Sequence, residues 1–172
     1  MDLSFSSTIT KDKVFAAVED LLQSLCFTIA ARDKNRPWGG FYVIDEGEAK
    51  KFAEYYFPGV TKEKLIGIGK LSPKILIVAP EKRLSWQYHH RRAEIWKLIG
   101  GDAKLMTSDN DEETEITRLE TGDTVQLHQG RRHRLIGSEN NWGIVAEIWQ
   151  HTDAENPSDE DDIVRVQDDF GR

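Results

Sequence analysis

The sequence predicts an all-β core, either a sandwich or a barrel, with helices confined to the N-terminal part. Three observations carry this prediction. Seven or eight short segments with strand character follow one another closely, turns containing glycine separate most of them, and helical periodicity is limited to roughly the first third of the chain. With 172 residues, the chain can form one domain with its own core.

Composition excludes several classes of protein. The apolar fraction of 38% and the charged fraction of 31% are ordinary for a globular protein, and the net charge of −7 argues against a nucleic-acid partner. No apolar run approaches the length of a membrane span, and no signal peptide is evident, so we expect a cytoplasmic protein with no membrane partner. The single cysteine, Cys26, lies between apolar residues and is predicted to be buried in a reducing compartment.

Helical periodicity runs from Thr10 to about Ala31. The apolar positions recur at spacings of three and four residues: Val14, Ala17, Val18, Leu21, Leu22 and Leu25. The stripe must be buried against the domain or against a second subunit, and the latter possibility is one reason to expect a homodimer. Phe41–Ile44 then has strand character, and a second helix is predicted from Gly47 to Phe57.

Strand character dominates the rest of the chain. The segments with alternating or β-branched residues are 74–79, 103–106, 115–119, 123–127, 132–136 and 143–150. The acidic run Ser108–Glu113 separates two of them and is typical of a solvated hairpin loop.

The stretch Leu84–Gly101 combines adjacent histidines, a glutamine, a glutamate and two arginines with large apolar residues. As a helix, it would place an apolar stripe on one face and its histidines in water. As a pair of strands with a turn near Arg91, it would place Gln87 and His89 on one face. Periodicity within this stretch does not decide between the two structures.

The spacing of potential metal ligands resembles the paired motifs of the cupin superfamily. Gln87, His89 and Glu94 precede Gly101, and a second glycine-framed segment carries His133. In that superfamily the first motif supplies three metal ligands across two strands and the second supplies a histidine. The resemblance therefore favours the strand pair and implies four ligands, Gln87, His89, Glu94 and His133. Glutamine at the first position narrows the resemblance to the phosphomannose isomerase branch.

Further segments are similar to the C-terminal cupin domain of type II phosphomannose isomerases. These are Arg36–Gly39, Leu84–Trp96, and the C-terminal segments Glu160–Arg165 and Asp169–Arg172. The resemblance implies a double-stranded β-helix, the cupin or jelly-roll barrel, over residues 35–172, with a helical insertion at about 45–71. Residues 1–34 would be an N-terminal helical extension. Family members usually carry a guanylyltransferase domain before the cupin, so we interpret this chain as a stand-alone cupin.

Four positions depart from the family pattern. Arg91 and Ile95 stand where relatives usually have histidine, Glu81 replaces a glycine after a proline, and Trp149 replaces a glutamine. None of these changes affects the four expected metal ligands. They do leave the identity of the substrate open.

The resemblance implies a metal-dependent sugar-phosphate aldose–ketose isomerase. We expect it to interconvert mannose 6-phosphate and fructose 6-phosphate through an ene-diolate. Arg92 and Glu147 are expected to be catalytic, with His90 as an alternative general base. Lys74 and Arg165 are expected to bind the phosphosugar.

The expected cofactor is a divalent metal, with zinc placed first and manganese, iron, cobalt or nickel as alternatives. Three other functions compete with this hypothesis. They are a non-catalytic metal-binding cupin that binds a sugar or nucleotide sugar, an isomerase of another phosphosugar such as a heptose phosphate, and a different metalloenzyme such as an epimerase or dioxygenase.

Overall fold

Two antiparallel sheets enclose a barrel in the computed structural model, which describes residues 3–60 and 70–171. The strands are β1 Ile29–Asp33, β2 Gly39–Ile44, β3 Lys74–Val78, β4 Trp86–Tyr88, β5 Arg92–Gly101, β6 Ala103–Ser108, β7 Thr117–Leu119, β8 Thr124–Leu127, β9 Arg132–Gly137, β10 Gly143–His151 and β11 Val164–Gln167. One sheet has the order β1-β2-β3-β10-β5-β8, and the other β11-β4-β9-β6-β7. The predicted all-β core is therefore confirmed.

The stretch Leu84–Gly101 forms strands, as the cupin resemblance implied, and the helix interpretation is wrong. Its two strands do not pair with each other, however. β4 pairs with β9 and β11 in one sheet, whereas β5 pairs with β10 and β8 in the other. Residues 89–91 are therefore a corner at which the chain passes from one sheet to the other. Both strands pair with strands that are distant in the sequence.

The barrel interior is apolar at one end and polar at the other. Inward-facing side chains alternate along each strand. The apolar end is filled by a cluster that includes Leu76, Val78, Leu98, Leu135 and Val145. The same inner faces carry buried polar side chains toward the other end: Lys74, Gln87, Glu94, His133 and Glu147. The strand register therefore gathers these polar groups at one end of a packed barrel.

Two helices, α1 Lys11–Ser24 and α2 Ala49–Tyr56, cover the outer face of the six-stranded sheet. The apolar stripe of α1 packs against this face, where Val14, Val18 and Leu22 are buried and Leu21 and Leu25 are partly buried. A core within one chain therefore accounts for the stripe that suggested a second subunit. The homodimer stays a prediction.

Helix α1 ends at Ser24, seven residues before the predicted end at Ala31. Cys26 adopts a left-handed conformation with φ of 56°. Its amide donates to the Gln23 carbonyl and the Phe27 amide donates to the Leu22 carbonyl, which is the Schellman arrangement that ends helices. The prediction missed this end because glycine is the usual residue at that position. Cys26 is exposed there, so its predicted burial is also wrong.

Other boundaries differ by smaller amounts. The strand predicted to begin at residue 115 begins at Thr117, and the second helix lies within one or two residues of its prediction. Part of the insertion expected at 45–71, residues 61–69, lies outside the described residues. Of the helices in the described parts of the chain, none is long and apolar enough to cross a membrane.

The backbone conformation of Glu81 accounts for the glycine that relatives usually have at this position. Glu81 has φ of 58°, a conformation that glycine adopts without strain, and its side chain is exposed. Glu81→Gly is expected to raise the free energy of unfolding by about 0.5 to 1 kcal/mol. Relief of roughly 1–2 kcal/mol of left-handed strain is partly offset by the greater entropy of glycine in the unfolded chain.

Urea denaturation of the two proteins measures this difference. Glu81→Ala is the matched control, because it removes the same carboxylate but keeps the Cβ atom that causes the strain. An equal gain in the alanine variant would contradict the explanation.

Candidate metal centre and substrate pocket

Three side chains meet at the polar end of the barrel. His89 lies at the corner after β4, Glu94 points inward from β5, and His133 points inward from β9. One potential ligand atom from each lies within 4.8 Å of the other two, and all three side chains are buried. These three residues could therefore hold a metal ion between them.

Both imidazoles are oriented by backbone carbonyls. Nδ1 of His89 lies 2.5 Å from the Asp162 carbonyl oxygen, and Nδ1 of His133 lies 2.9 Å from that of Arg131. A carbonyl oxygen can only accept, so each Nδ1 carries a proton, and in the neutral form of each ring Nε2 is the nitrogen with the lone pair. Nε2 of His89 lies 3.1 Å from one Glu94 oxygen, and Nε2 of His133 lies 3.4 Å from the other.

The charge state of these groups suits metal binding. Burial lowers the pKa of His89, which favours the neutral imidazole. Burial alone would raise the pKa of Glu94, but the neighbouring His89 and Arg92 outweigh it and hold that pKa well below its usual range. The two shifts favour the forms in which a metal would bind these groups, an unprotonated imidazole at His89 and an ionised carboxylate at Glu94.

Gln87 completes the expected set from β4. Its Cα is the register partner of His133, and its side chain lines the same pocket as Glu94. The Ser85 hydroxyl lies 2.5 Å from Gln87 Oε1 and donates to it, since a carbonyl oxygen cannot donate. This bond orients the amide oxygen, which keeps a second lone pair.

One buried atom supports the fit of a metal. His133 Nε2 is inaccessible to solvent and has no hydrogen-bond partner in the described part of the chain. A buried lone pair without a partner is costly, and a metal ion would satisfy it. His89 Nε2 instead contacts Arg92 Nη2 at 3.1 Å. Arg92 would give up this one contact when a metal binds to His89, while its bond to Glu94 could remain.

Trp149 forms a wall of the pocket between two cations. The Arg92 guanidinium lies 3.7 Å from the centre of its indole ring, and Lys74 Nζ lies 3.9 Å from it. Two groups this close to one ring centre would collide on the same face, so the indole is sandwiched between them. Both cations line the pocket and are buried. The substitution that departs from the family pattern thus fixes the two cations in place.

Glu147 faces the pocket from β10, where its register partners are Trp96 and Lys74. The Trp96 indole N–H donates to Glu147 at 3.0 Å and to Glu94 at 3.1 Å. Burial, followed by the negative charge of Glu94, raises the pKa of Glu147 to about 8. The group can therefore hold or release a proton near neutral pH.

The C-terminal segment, residues 156–171, closes one side of the pocket. Arg165 on β11 is exposed, is the register partner of Gln87 and lines the pocket, as does Glu160. Glu160 forms an ion pair with Lys74. All eight site residues expected from the sequence therefore lie around one end of the barrel. Glu160 was not expected to contribute, although it begins the C-terminal motif Glu160–Arg165.

Two of the departures lie outside this pocket. Arg91 extends along the C-terminal segment and bonds to Asn156, the Pro157 carbonyl and Asp159. Ile95 is buried in the outer core against the helices. His90, the alternative general base, is exposed and does not line the pocket. Neither departure therefore removes a group from the pocket.

Comparison with known proteins agrees with this geometry. Residues 56–168, more than half of the chain, match the family model described as Mannose-6-phosphate isomerase C-terminal. The mannose-1-phosphate guanylyltransferase of Escherichia coli (strain K12) is 30% identical over 141 residues, covering 82% of this chain and 23% of that protein. The alginate biosynthesis protein AlgA of Pseudomonas aeruginosa is 28% identical over 175 residues, covering 95% and 30%.

The chain thus spans less than a third of the length of these curated relatives. Among solved structures, vicilin from Corylus avellana superposes with a TM-score of 0.54 at 18% identity, covering 81% of this chain and 36% of vicilin. That likeness concerns the fold alone. On the match of its sequence to the family model, and with a double-sheet cupin barrel as its fold, this chain belongs to the mannose-6-phosphate isomerase C-terminal family.

Proposed function

We propose that the protein is a metal-dependent aldose–ketose isomerase of a sugar phosphate, with mannose 6-phosphate and fructose 6-phosphate as its substrates. The observation that carries the proposal is the buried His89–Glu94–His133 cluster beside a pocket lined by both cations and a protonatable carboxylate. The family and the names of the relatives support a sugar-phosphate ligand.

The metal would be held by His89, Glu94, His133 and Gln87. Zinc suits this mixture of imidazole, carboxylate and amide ligands, as do manganese, iron, cobalt and nickel. When bound, it would supply positive charge that stabilises the ene-diolate formed from the sugar.

The pocket residues would bind the substrate and move its proton. Lys74 and Arg92, on opposite faces of Trp149, would hold the phosphate, and Arg165 would approach it from the exposed side. Glu147 would take the proton from one carbon of the sugar and return it to the neighbouring carbon, while the hydroxyl proton on the first carbon moves to the carbonyl oxygen of the neighbouring one. A pKa of about 8 suits this role, because the group must accept and release the proton within one turnover.

A second candidate is a non-catalytic cupin that binds a sugar or nucleotide sugar. The contact between Arg92 Nη2 and His89 Nε2 favours it, because that contact satisfies one lone pair without a metal. Ligand-induced thermal stabilisation without product formation would distinguish the binder from the isomerase.

The isomerase is tested with a panel of hexose and heptose phosphates, assayed with zinc, manganese, cobalt or nickel and with a chelator. We expect interconversion of mannose 6-phosphate and fructose 6-phosphate that requires metal. His89→Ala should lower both metal content and kcat by about 100-fold or more, because it removes a ligand. His90→Ala is the matched control, since the neighbouring imidazole is exposed, and it should retain both. A protein that binds metal but converts no phosphosugar would refute the proposal.

Glu160 is expected to compete with the substrate phosphate for Lys74, because both are anions for one buried ammonium group. Glu160→Gln should therefore tighten the binding of fructose 6-phosphate several-fold, measured by calorimetry, and leave the binding of uncharged fructose unchanged. Glu139→Gln is the control, since it removes the same charge from an exposed pair with Lys104. Equal tightening in the control would point to net charge rather than to Lys74.

The raised pKa of Glu147 predicts a pH dependence of stability in the metal-free protein. The folded state keeps the Glu147 proton up to about pH 8, whereas the unfolded state loses it near pH 4.5. Stability contributed by this group therefore falls as pH rises between those values, by up to about 1.4 kcal/mol per pH unit.

Glu147→Gln cannot ionise, so its stability relative to wild type should grow from pH 6 to pH 8. Urea denaturation in the presence of a chelator measures this growth. Glu139→Gln serves as the control, because it removes an exposed carboxylate that lies outside the pocket, and its profile should run parallel to that of wild type. Parallel profiles for wild type and Glu147→Gln would show that the Glu147 pKa is not raised.

A further inference from the structure

Asp162 lies in the C-terminal segment where that segment crosses the corner between β4 and β5. It is 6% exposed, and its carboxylate faces the backbone of the corner. One carboxylate oxygen accepts the His90 amide at 3.0 Å, and the other accepts the Arg91 amide at 2.9 Å. The carboxylate thus accepts from two backbone N–H groups of the turn, which would otherwise lack a partner because they lie between strands.

The main chain of Asp162 contacts the candidate metal ligand itself. Its carbonyl oxygen accepts the His89 Nδ1 proton at 2.5 Å, so it fixes which nitrogen of that ring faces Glu94. The side chain and the main chain of one residue thus hold three consecutive residues, 89–91. A shift of Asp162 would therefore move the imidazole and the corner together.

The same residue is tied to Arg92. The Ser158 hydroxyl donates to the Asp162 carboxylate at 2.6 Å and accepts from Arg92 Nη1 at 2.8 Å. Arg92 Nη1 also lies 2.9 Å from the Asp159 carbonyl and 3.3 Å from the Asp162 carbonyl. The guanidinium that contacts Glu94 and Trp149 is therefore anchored on its far side by the C-terminal segment.

We propose that Asp162 is a positioning residue for the metal centre, whose carboxylate sets the corner so that His89 and Arg92 face Glu94. It is not one of the candidate ligands, and it does not line the pocket. The inference rests on the proposed function, because it assumes that His89 serves as a ligand. It adds that a segment about seventy residues downstream determines where this ligand lies.

The test is the variant Asp162→Asn. The amide has one accepting oxygen in place of two, and its NH2 group would face a backbone N–H of the corner. The dissociation constant for zinc, measured by chelator competition well below the unfolding temperature, should rise by about 10- to 100-fold. The absorption spectrum of the cobalt-loaded protein should also change, because the geometry around His89 would differ.

Asp169→Asn is the matched control. Asp169 lies in the same C-terminal segment and pairs with Arg83 at 2.6 Å, a contact that does not involve the corner. The control should keep the wild-type zinc affinity and cobalt spectrum. Equal losses in both variants would show that the segment acts only through overall stability, and would overturn the proposal.

Ser158→Ala is a milder second variant that is informative even if Asp162→Asn does not fold. It removes the hydroxyl between Asp162 and Arg92, and we expect a smaller loss of zinc affinity, of about several-fold. Unchanged zinc affinity in Ser158→Ala, or in a folded Asp162→Asn, would overturn the proposal while leaving the isomerase intact. A wild-type protein that binds no metal would instead refute the metal-dependent function itself.

Discussion

The buried negative charge of Glu94 is the constraint on which the polar end of the barrel depends. A carboxylate that is 2% exposed is stable only if charged or polar partners replace the water it has lost. Arg92 and the Trp96 indole donate to it, and two imidazoles face it. Each of those partners must itself be fixed in place. Contacts with the surrounding structure hold these partners in position.

The residues that make these contacts come from distant parts of the chain. Arg92 stacks on Trp149 of β10 and bonds to the C-terminal segment, and Trp96 shares its N–H between Glu94 and Glu147. Both carboxyl groups accept from this one N–H and are therefore close together, so the charge of one acts on the other. Ionised Glu94 favours the protonated form of Glu147. The same arrangement thus stabilises the ionised carboxylate of Glu94 and favours a proton on Glu147.

The outer face of the six-stranded sheet contributes packing rather than polar groups. Helices α1 and α2 bury it under a large apolar core, so that the strands carrying Glu94 and Glu147 are packed on both sides. Ile95 belongs to this outer core although its neighbours on β5 face the pocket. A departure from the family pattern next to a candidate ligand can therefore be a matter of packing rather than of chemistry, because successive side chains of a strand point to opposite faces.

Residue types and spacing predicted the all-β class of the fold, and the resemblance to cupins implied the four expected ligands and most of the residues that line the pocket. Alternation along a strand is a local property, and the glycine-framed motifs fix which positions face inward. The sequence could not show that β4 and β5 lie in different sheets, that Cys26 ends α1, or that Arg91 points away from the pocket. Nor could it show that Trp149 lies between two cations, or that Asp162 holds the corner at His89. The end of α1 depends on local hydrogen bonds around a residue type that rarely adopts the left-handed conformation. The other features depend on contacts between segments far apart in the sequence, and only the tertiary structure brings such segments together.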